Sequence, residues 1–290
     1  MTTLKKNEYQ KLHEACEAGN INSLRSLLGD TAFTECALQR PVKQYNSITQ
    51  PILNLVDLLK VASAKGHGAI VSHLLAFGQE HEISCVELIN RDTAIAAIDG
   101  VNGVEMFRIF VKTWPEVVEL DMGHLGNPLA YAVVKDQIQL TKLLLDEGAD
   151  PNRRCLAHTG SGHYLRQSVK SSSLEITKTL LQHGARIQSS GAIQQAAKLG
   201  RVDVLELLLN NGADINETLP ADVGFLVRDQ RYQQASESPL HIAALHDQMS
   251  SVRWLLAHGA DPNITDAQGR TPVMIAQAST NERLAEAFAA

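Results

Sequence analysis

Residues 238–263 have the sequence SPLHIAALHDQMSSVRWLLAHGADPN, which is the clearest structural unit in the chain. A short segment rich in small residues, PLHIAA, comes first, and small side chains allow a helix to lie close to its neighbour. Apolar residues then return at helical spacing in VRWLL, and GADPN supplies residue types that favour a turn. The stretch therefore predicts a helix, a tight turn, a second helix and a Gly-led turn.

The same pattern recurs along the chain. The phrase GAD-x-N occurs at residues 148–152, 212–216 and 259–263. Ungapped copies of the decisive stretch start at residues 10, 57, 93, 127, 163, 191, 238 and 271. Their third and eighteenth residues are apolar in every copy, and the tenth mostly tolerates a left-handed backbone or caps a helix. The tenth residue is therefore expected to lie at the turn between the two helices of each copy.

The segments SPLHIAA (238–244), GRTPVMIA (269–276) and GADPN resemble the signature elements of the ankyrin repeat. The motifs are specific in the fourth and the sixth to eighth copies, whereas the first three copies lack GAD-x-N. The resemblance implies an all-α ankyrin-repeat solenoid of stacked helix-turn-helix units with projecting hairpin loops. It also implies that the loops and the inner helices form a concave surface. With polar residues to cap both ends, we expect one complete solenoid over residues 1–290 and no second domain.

Two long inter-repeat insertions interrupt the pattern, at residues 29–50 and 217–237. Loops of this length are usually functional or disordered. The second insertion carries Phe225, Arg228, Arg231 and Tyr232, and Tyr and Arg are favoured at the centres of protein interfaces. Two interpretations stay open: the insertion contacts a partner, or it packs back onto the solenoid as a local plug.

Composition excludes several classes of protein. With 26 Lys and Arg against 32 Asp and Glu, the net charge is −6, which disfavours direct binding of nucleic acid. No apolar stretch approaches the roughly 18 residues of a membrane helix, and the first residues lack the apolar segment of a secretion signal. Four Cys residues form no disulfide framework. We therefore expect an intracellular protein, cytoplasmic or nuclear.

The sequence contains no nucleophile elbow, phosphate-binding loop or zinc-protease helix, so we predict no enzyme activity, catalytic residue or cofactor. A remote alternative is a metal site in the 153–164 loop, where Cys155, His158 and His163 are good zinc ligands. His13 and His241 occupy a position that is His in the ankyrin signature. The resemblance gives them a structural role, joining adjacent turns, with Ser238 as a partner for His241.

The leading functional prediction is a non-enzymatic scaffold, monomeric by itself, that binds a partner protein of unknown identity through its concave face and loops. The alternative is a transcriptional co-regulator that acts through a DNA-binding partner. Asp150, Asp214 and Asp261 recur once per repeat, which favours either an acidic row for a basic partner or ordinary turn chemistry. The candidate contact residues are Asp150, Asn152, Asp214, Asn216, Phe225, Arg228, Arg231, Tyr232, Asp261 and Asn263.

Overall fold

The computed structural model describes residues 3–38, 54–153, 164–171, 173–218, 236–279 and 281–288. Within these ranges every regular element is a helix. The chain divides into two compact units, an N-terminal unit (Met1–Met122) and a C-terminal unit (Gly123–Ala290). The predicted all-α class is confirmed, whereas a single solenoid over residues 1–290 stays a prediction.

The N-terminal unit contains three pairs of helices, in which a first helix is followed by a turn and a second helix. The first helices α1, α4 and α7 pack on one another in that order, and each contacts its own second helix, α2, α5 or α8. The elements are α1 (Thr3–Glu17), α2 (Ile21–Leu28), α3 (Thr31–Ala37), α4 (Leu55–Lys65), α5 (Gly68–Glu80), α6 (Cys85–Leu88), α7 (Arg91–Asp99), α8 (Gly103–Thr113) and a 3-10 helix (Pro115–Glu119).

The C-terminal unit contains five further pairs. Its first helices α9, α11, α13, α15 and α17 contact one another in sequence, and we call them the first-helix layer. Stacking of neighbouring pairs buries the apolar sides of both helices, as the repeat predicts. The elements are a 3-10 helix (Gly123–Leu125), α9 (Pro128–Val134), α10 (Ile138–Asp146), α11 (Tyr164–Ser168), α12 (Glu175–Gln182), α13 (Ala192–Leu199), α14 (Val202–Asn210), α15 (Pro239–Leu245), α16 (Met249–Ala257), α17 (Pro272–Ala278) and α18 (Glu282–Glu286).

In the copies whose tenth residue the structure describes, this residue lies between the two helices of the pair, as the repeat predicts; Ser172 and Thr280 lie outside the described residues. Five of these residues have a left-handed backbone, with φ between +54° and +74°: Gly19, Gly66, Asp136, Gly200 and Asp247. This conformation favours Gly, and Asp tolerates it better than most other residues. The third copy differs, because Asn102 has φ −127° and directly precedes α8. A turn without a left-handed residue joins α7 to α8.

The first helices of the second and third copies start earlier than the repeat predicts. Asn54 and Asn90 cap them, three residues before the expected starts at 57 and 93. The Asn54 side chain accepts hydrogen bonds from the backbone N–H groups of Val56 and Asp57, which satisfies two donors that the helix leaves unpaired. As a result α4 has 11 residues, whereas α9 has 7. The capping Asn, and not the apolar column, sets where these helices begin.

Part of the first insertion is helical. Within residues 29–50, the segment Thr31–Ala37 forms α3, which packs against α1 and α2 and buries Cys36 and Ala37. The side chain of Asp30 caps it by accepting a hydrogen bond from the Ala32 N–H at 2.9 Å. The expectation of a long loop is therefore wrong for residues 31–37. The remainder, from residue 39, lies outside the described residues.

Candidate protein-interaction surface

The three recurring aspartates form turns. Asp150, Asp214 and Asp261 each accept, through Oδ1, a hydrogen bond of 2.8 Å from the backbone N–H two residues further on. These donors belong to Asn152, Asn216 and Asn263. The arrangement is the Asx turn that Asp and Asn form with their own backbone. The turn interpretation of the recurring Asp is confirmed.

Two of the predicted contact residues connect one hairpin to the next. The Asn152 amide donates to the Gly184 carbonyl at 3.0 Å and accepts from the Arg186 N–H at 2.8 Å. Asn216 Oδ1 accepts from the N–H of Asp261 in the following repeat at 2.9 Å. These amides therefore hold the hairpins in register. Asn263 bonds within its own turn, to Asp261.

The second insertion is described only at its two ends. Phe225, Arg228, Arg231 and Tyr232 lie outside the described residues, so their contacts stay predictions. At the start, Glu217 accepts a hydrogen bond from the Ser189 N–H at 2.6 Å. Burial raises the pKa of Glu217, although hydrogen bonds from Ser189 and Gln194 oppose the rise.

A buried carboxylate ends the insertion. Glu237 is 7% exposed, and burial together with the negative charge of Asp266 raises the pKa of Glu237 to about 7. Arg270 opposes this rise, and its guanidinium also pairs with the buried Asp266 at 2.7 Å. The insertion is thus bounded by Glu217 and Glu237, whose carboxyl groups pack against neighbouring residues of the C-terminal unit.

The histidines proposed from the repeat behave differently from each other. His241 is fully buried, with Nδ1 at 2.8 Å from Ser238 Oγ and Nε2 at 3.0 Å from the Arg270 carbonyl, which precedes the next repeat. The predicted structural role of His241 is confirmed. His13 is about a third exposed and lies 3.9 Å from the Glu17 carboxylate. It makes no comparable link in the described part of the N-terminal unit.

In the sixth copy a glutamine takes the place of this histidine. Gln194 donates from Nε2 to the Glu217 carbonyl at 2.9 Å, so it reaches forward in the chain as His241 does. Its other amide atom, Oε1, is buried and has no hydrogen-bond partner among the described residues. The N-cap of that helix is Gly191, which offers no side chain. In the seventh copy the N-cap residue is Ser238, and its hydroxyl is the hydrogen-bond partner of His241.

The proposed metal ligands Cys155, His158 and His163 fall outside the described residues. Within the ranges that the structure does describe, no group of three or more His, Cys, Asp or Glu side chains could hold a metal ion. Cys16, one helical turn from His13, is buried, and burial raises the pKa of its thiol to about 12. That thiol is neutral at physiological pH and a poor metal ligand.

The first-helix layer exposes apolar side chains that the sequence interpretation did not select. Among the described residues of the C-terminal unit, the exposed large hydrophobics are Val134, Leu199, Leu245 and Met274, at 50%, 43%, 37% and 54%. All four belong to first helices and none to a second helix. The sequence could have indicated three of these exposed positions, because Val134, Leu199 and Leu245 come one or two residues before a left-handed turn residue.

Basic side chains share this layer. Arg166 lies on α11, Lys198 lies on the neighbouring α13, and Lys170 lies in the turn two residues after the end of α11. Burial lowers the pKa of Lys170, and the positive charges of Arg166 and Lys198 lower it further. Three cations from two contacting elements therefore lie close together. We call Arg166, Lys170 and Lys198 the basic cluster.

Comparison with known proteins identifies the repeats. A family model described as ankyrin repeats (many copies) matches residues 224–276, and a model of the single ankyrin repeat matches residues 126–156 and 192–218. All three segments lie in the C-terminal unit, where the GAD-x-N turns occur. These segments of the C-terminal unit are therefore ankyrin repeats.

The relatives that match are mostly much longer proteins. The ankyrin repeat and KH domain-containing protein mask-1 of Caenorhabditis elegans is 26% identical over 96% of this chain and 10% of its own length. An ankyrin repeat protein of fowlpox virus is 28% identical over 52% of this chain and 74% of its own length. The human BCL-6 corepressor-like protein 1 is 28% identical over 32% of this chain and 4% of its own length. The chain thus spans a tenth or less of two of these three relatives.

The matches to ankyrin repeats support a general role in protein–protein interaction. Ankyrin repeats are typically non-enzymatic interaction modules, and the architecture presents side chains from a stacked frame. Among the described residues, no helix is both long and apolar enough to cross a lipid bilayer.

Proposed function

We propose that this chain is a non-enzymatic scaffold that binds a partner protein through the first-helix layer of its C-terminal unit and the adjoining hairpin loops. The observation that carries the proposal is that, among the described residues of that unit, the exposed large apolar side chains all belong to one layer of helices. Exposed apolar side chains collected on one surface are typical of protein interaction sites. Because the stacked helices already hold these side chains in place, binding would cost little ordering entropy.

The C-terminal end of the layer offers a recess for an anchor residue. A groove of about 270 Å³ lies between α15 and α17, and Leu245, Met274, Ile275 and Ala278 provide its apolar lining. Interface anchors are usually aliphatic or aromatic side chains that fill such recesses. Arg270, which is paired with Asp266, and Asp247 also line the groove, so a partner would meet one group of each charge beside the apolar wall.

The contacts predicted from the sequence extend this surface. The hairpin tips carry Asp150, Asp214, Asp261 and Asn263, which use some of their hydrogen-bonding groups within the turns. Asn152 and Asn216 support the hairpins. The insertion residues Phe225, Arg228, Arg231 and Tyr232 complete the proposed set. An aromatic anchor and arginines on a long insertion would add specificity to the aliphatic layer.

Affinity capture with a matched control tests the proposal. The wild-type chain, the double variant L245S/M274S and the control V101S are immobilised, and the proteins recovered from cells are quantified. Val101 is 76% exposed and lies in the N-terminal unit, so V101S removes a comparable apolar side chain away from the layer. We expect a partner that V101S retains and L245S/M274S loses, with unchanged circular dichroism melts. Equal recovery by all three chains would contradict the proposed surface.

A further variant addresses the insertion. F225A/Y232A should abolish recovery of the same partner and leave the melt unchanged, provided that the insertion contributes an anchor. If recovery survives in F225A/Y232A and is lost in L245S/M274S, the insertion is removed from the proposed surface and the first-helix layer stays in it. Sedimentation of the wild-type chain alone tests the accompanying proposal that it is monomeric.

The second candidate is a transcriptional co-regulator that acts through a DNA-binding partner. The name of one relative, the human BCL-6 corepressor-like protein 1, favours it, and an acidic chain suits indirect rather than direct contact with DNA. A tagged chain should then concentrate in the nucleus of its host cell, and tethering it to a promoter should change the output of a reporter gene. A cytoplasmic chain with no effect on the reporter would leave only the general scaffold.

A further inference from the structure

A groove of about 700 Å³ lies between the second helices α5 and α8 of the N-terminal unit. The two helices approach closely at one point, where a Cβ added to Gly68 would lie 3.1 Å from Cδ1 of Ile109. The exposed residues of α5 that line the groove are Ala69, Ser72, Ala76 and Gln79. The groove is therefore open to solvent along nearly the whole length of α5.

The exposed residues of α5 have the spacing of a helix-packing seam. Positions 69, 72, 76 and 79 are three, four and three residues apart, as are the a and d positions of a coiled coil. Two of these residues are Ala and one is Ser, and such short side chains allow another helix to approach closely. A helix laid in the groove would therefore contact α5 over about three turns.

The charged residues of the groove lie on α8. Arg108 and Lys112 are exposed and one helical turn apart, and neither forms an ion pair within the part of the chain that the structure describes. Glu105, one turn before Arg108, is exposed as well. A carboxylate of a partner would be attracted to the two cations and repelled at Glu105. This order of charges favours one register of a bound segment.

The uncharged polar groups at the end of the groove already have partners. Gln79 Nε2 donates a hydrogen bond to Cys85 Sγ at 3.5 Å, and Thr113 Oγ1 donates to the Ile109 carbonyl at 2.9 Å. Hydrogen bonds between charged groups are stronger than those between neutral groups. The two cations of α8 therefore offer a partner the strongest polar contacts in the groove.

Two other kinds of occupant fit this groove less well. An extended peptide usually binds a sheet edge through backbone hydrogen bonds, whereas α5 and α8 use most of their backbone groups within the helices. A membrane surface takes up large exposed apolar side chains. Those described in this unit are Val86 and Val101, and neither lies on α5 or α8. A helical protein segment is the occupant that the groove fits.

We propose that the groove between α5 and α8 binds an acidic amphipathic helix of a partner protein, with its small and aliphatic side chains on α5 and its carboxylates at Arg108 and Lys112. This surface belongs to the N-terminal unit, so the inference goes beyond the proposed function and does not depend on the first-helix layer. It gives the scaffold a second binding surface. Attraction between carboxylates and exposed cations speeds association and weakens as salt is added.

Fluorescence anisotropy of synthetic peptides tests the inference on the full chain. The probe is a labelled helical peptide about three heptads long, with Leu and Ala at its a and d positions and Glu along one flank. One comparison peptide has Gln in place of Glu, and another has the same residues in scrambled order. We expect the probe to bind about tenfold more tightly than either comparison and to lose affinity as NaCl is added. No binding of the probe, or equal binding of either comparison, overturns the inference.

Matched variants locate the binding. K112E should weaken the probe about fivefold or more, whereas K60E makes the same charge change at an exposed lysine on α4 and should stay within about twofold. A76Q should weaken the probe about tenfold, because the longer side chain blocks the seam. A257Q is its control, at an exposed position on the second helix α16. Unchanged affinity in A76Q, or an equal loss in either control, assigns the peptide to another surface.

Three further outcomes overturn the proposal. Binding of the wild-type chain to vesicles of anionic lipid that K112E abolishes would assign the groove to a membrane surface. Self-association of the wild-type chain that A76Q abolishes would assign it to a second copy. L245S/M274S leaves the groove intact and should bind the probe as the wild-type chain does, so loss of the probe in that variant would place the contact in the C-terminal unit.

Discussion

Replacing His241 tests how neighbouring repeats are held together. The imidazole is fully buried and contacts two groups, Ser238 within its own turn and the Arg270 carbonyl before the next repeat. In H241A both groups lose their partner, and a buried unsatisfied polar group costs about 1–3 kcal/mol. Loss of the ring also leaves a cavity. We therefore expect H241A to lower the free energy of unfolding by about 3–5 kcal/mol.

The chain itself supplies the matched variant, since Gln194 occupies the same position in the sixth copy. In H241Q the amide can still donate to the Arg270 carbonyl, as Gln194 donates to the Glu217 carbonyl. It can also accept from the Ser238 N–H, because a Gln three residues after an N-cap Ser forms a capping box. We expect H241Q to cost only about 1 kcal/mol, close to the net value of one hydrogen bond.

Trp254 on α16 is a local reporter, because α16 packs against α15, the helix that carries His241. The other tryptophan, Trp114, lies in the N-terminal unit, so the variants are made in a W114F background. Urea unfolding followed by Trp254 fluorescence gives the order of stabilities. Equal losses in H241A and H241Q, or a loss below 1 kcal/mol in H241A, would refute the role assigned to the link between repeats.

Three further predictions concern local features. The pKa of Glu237 is raised in the folded state from 4.5 to about 7, so the folded chain holds this proton more tightly than the unfolded chain does. The free energy of unfolding should therefore fall as the pH rises from 4.5 to about 7, by up to roughly 3 kcal/mol. E237Q should reduce this dependence in unfolding measured at pH 5 and pH 7.5. G66A should lower the free energy of unfolding by about 2–3 kcal/mol, because the added Cβ would lie 2.8 Å from a neighbouring Asn side chain. G148A should lower it by only about 1 kcal/mol in thermal melts, because Gly148 also has a left-handed backbone but open space around it. In urea unfolding, N152A should lower the free energy of unfolding by about 1–2 kcal/mol and N263A by less than half of that. Of these two residues, Asn152 links two hairpins, whereas Asn263 bonds within its own turn.

Local chemistry explains why much of the fold could be predicted from the sequence. At the tenth position of the repeat, a Gly or Asp with a left-handed backbone marks the turn between the two helices, as Gly200 and Asp247 show. An Asp two residues before an Asn forms its own turn, as Asp261 does. The His241 link was predictable because its motif carries both the imidazole and its Ser partner. Each of these features depends on residues close together in the chain.

The candidate surface was less predictable, for a physical reason. An aliphatic residue such as Leu199 has the same helical spacing whether it is buried by a neighbour or left exposed. The basic cluster exists only because packing of α13 on α11 brings Lys198 near Lys170. Similarly, the sequence position of Asn152 marks a hairpin tip and favours a partner contact. Its hydrogen bonds to Gly184 and Arg186 become apparent only when the next hairpin is in place.

Short-range periodicity and backbone preference are sufficient to predict the tandem helix pairs, their turns and their resemblance to ankyrin repeats. The early starts of α4 and α7 and the helix in the first insertion are also local, because Asn54, Asn90 and Asp30 cap these helices. The exposed face of the first-helix layer, by contrast, is visible only in the folded chain. It depends on which side chains of separate repeats meet, and burial arises between elements, so no single repeat encodes it.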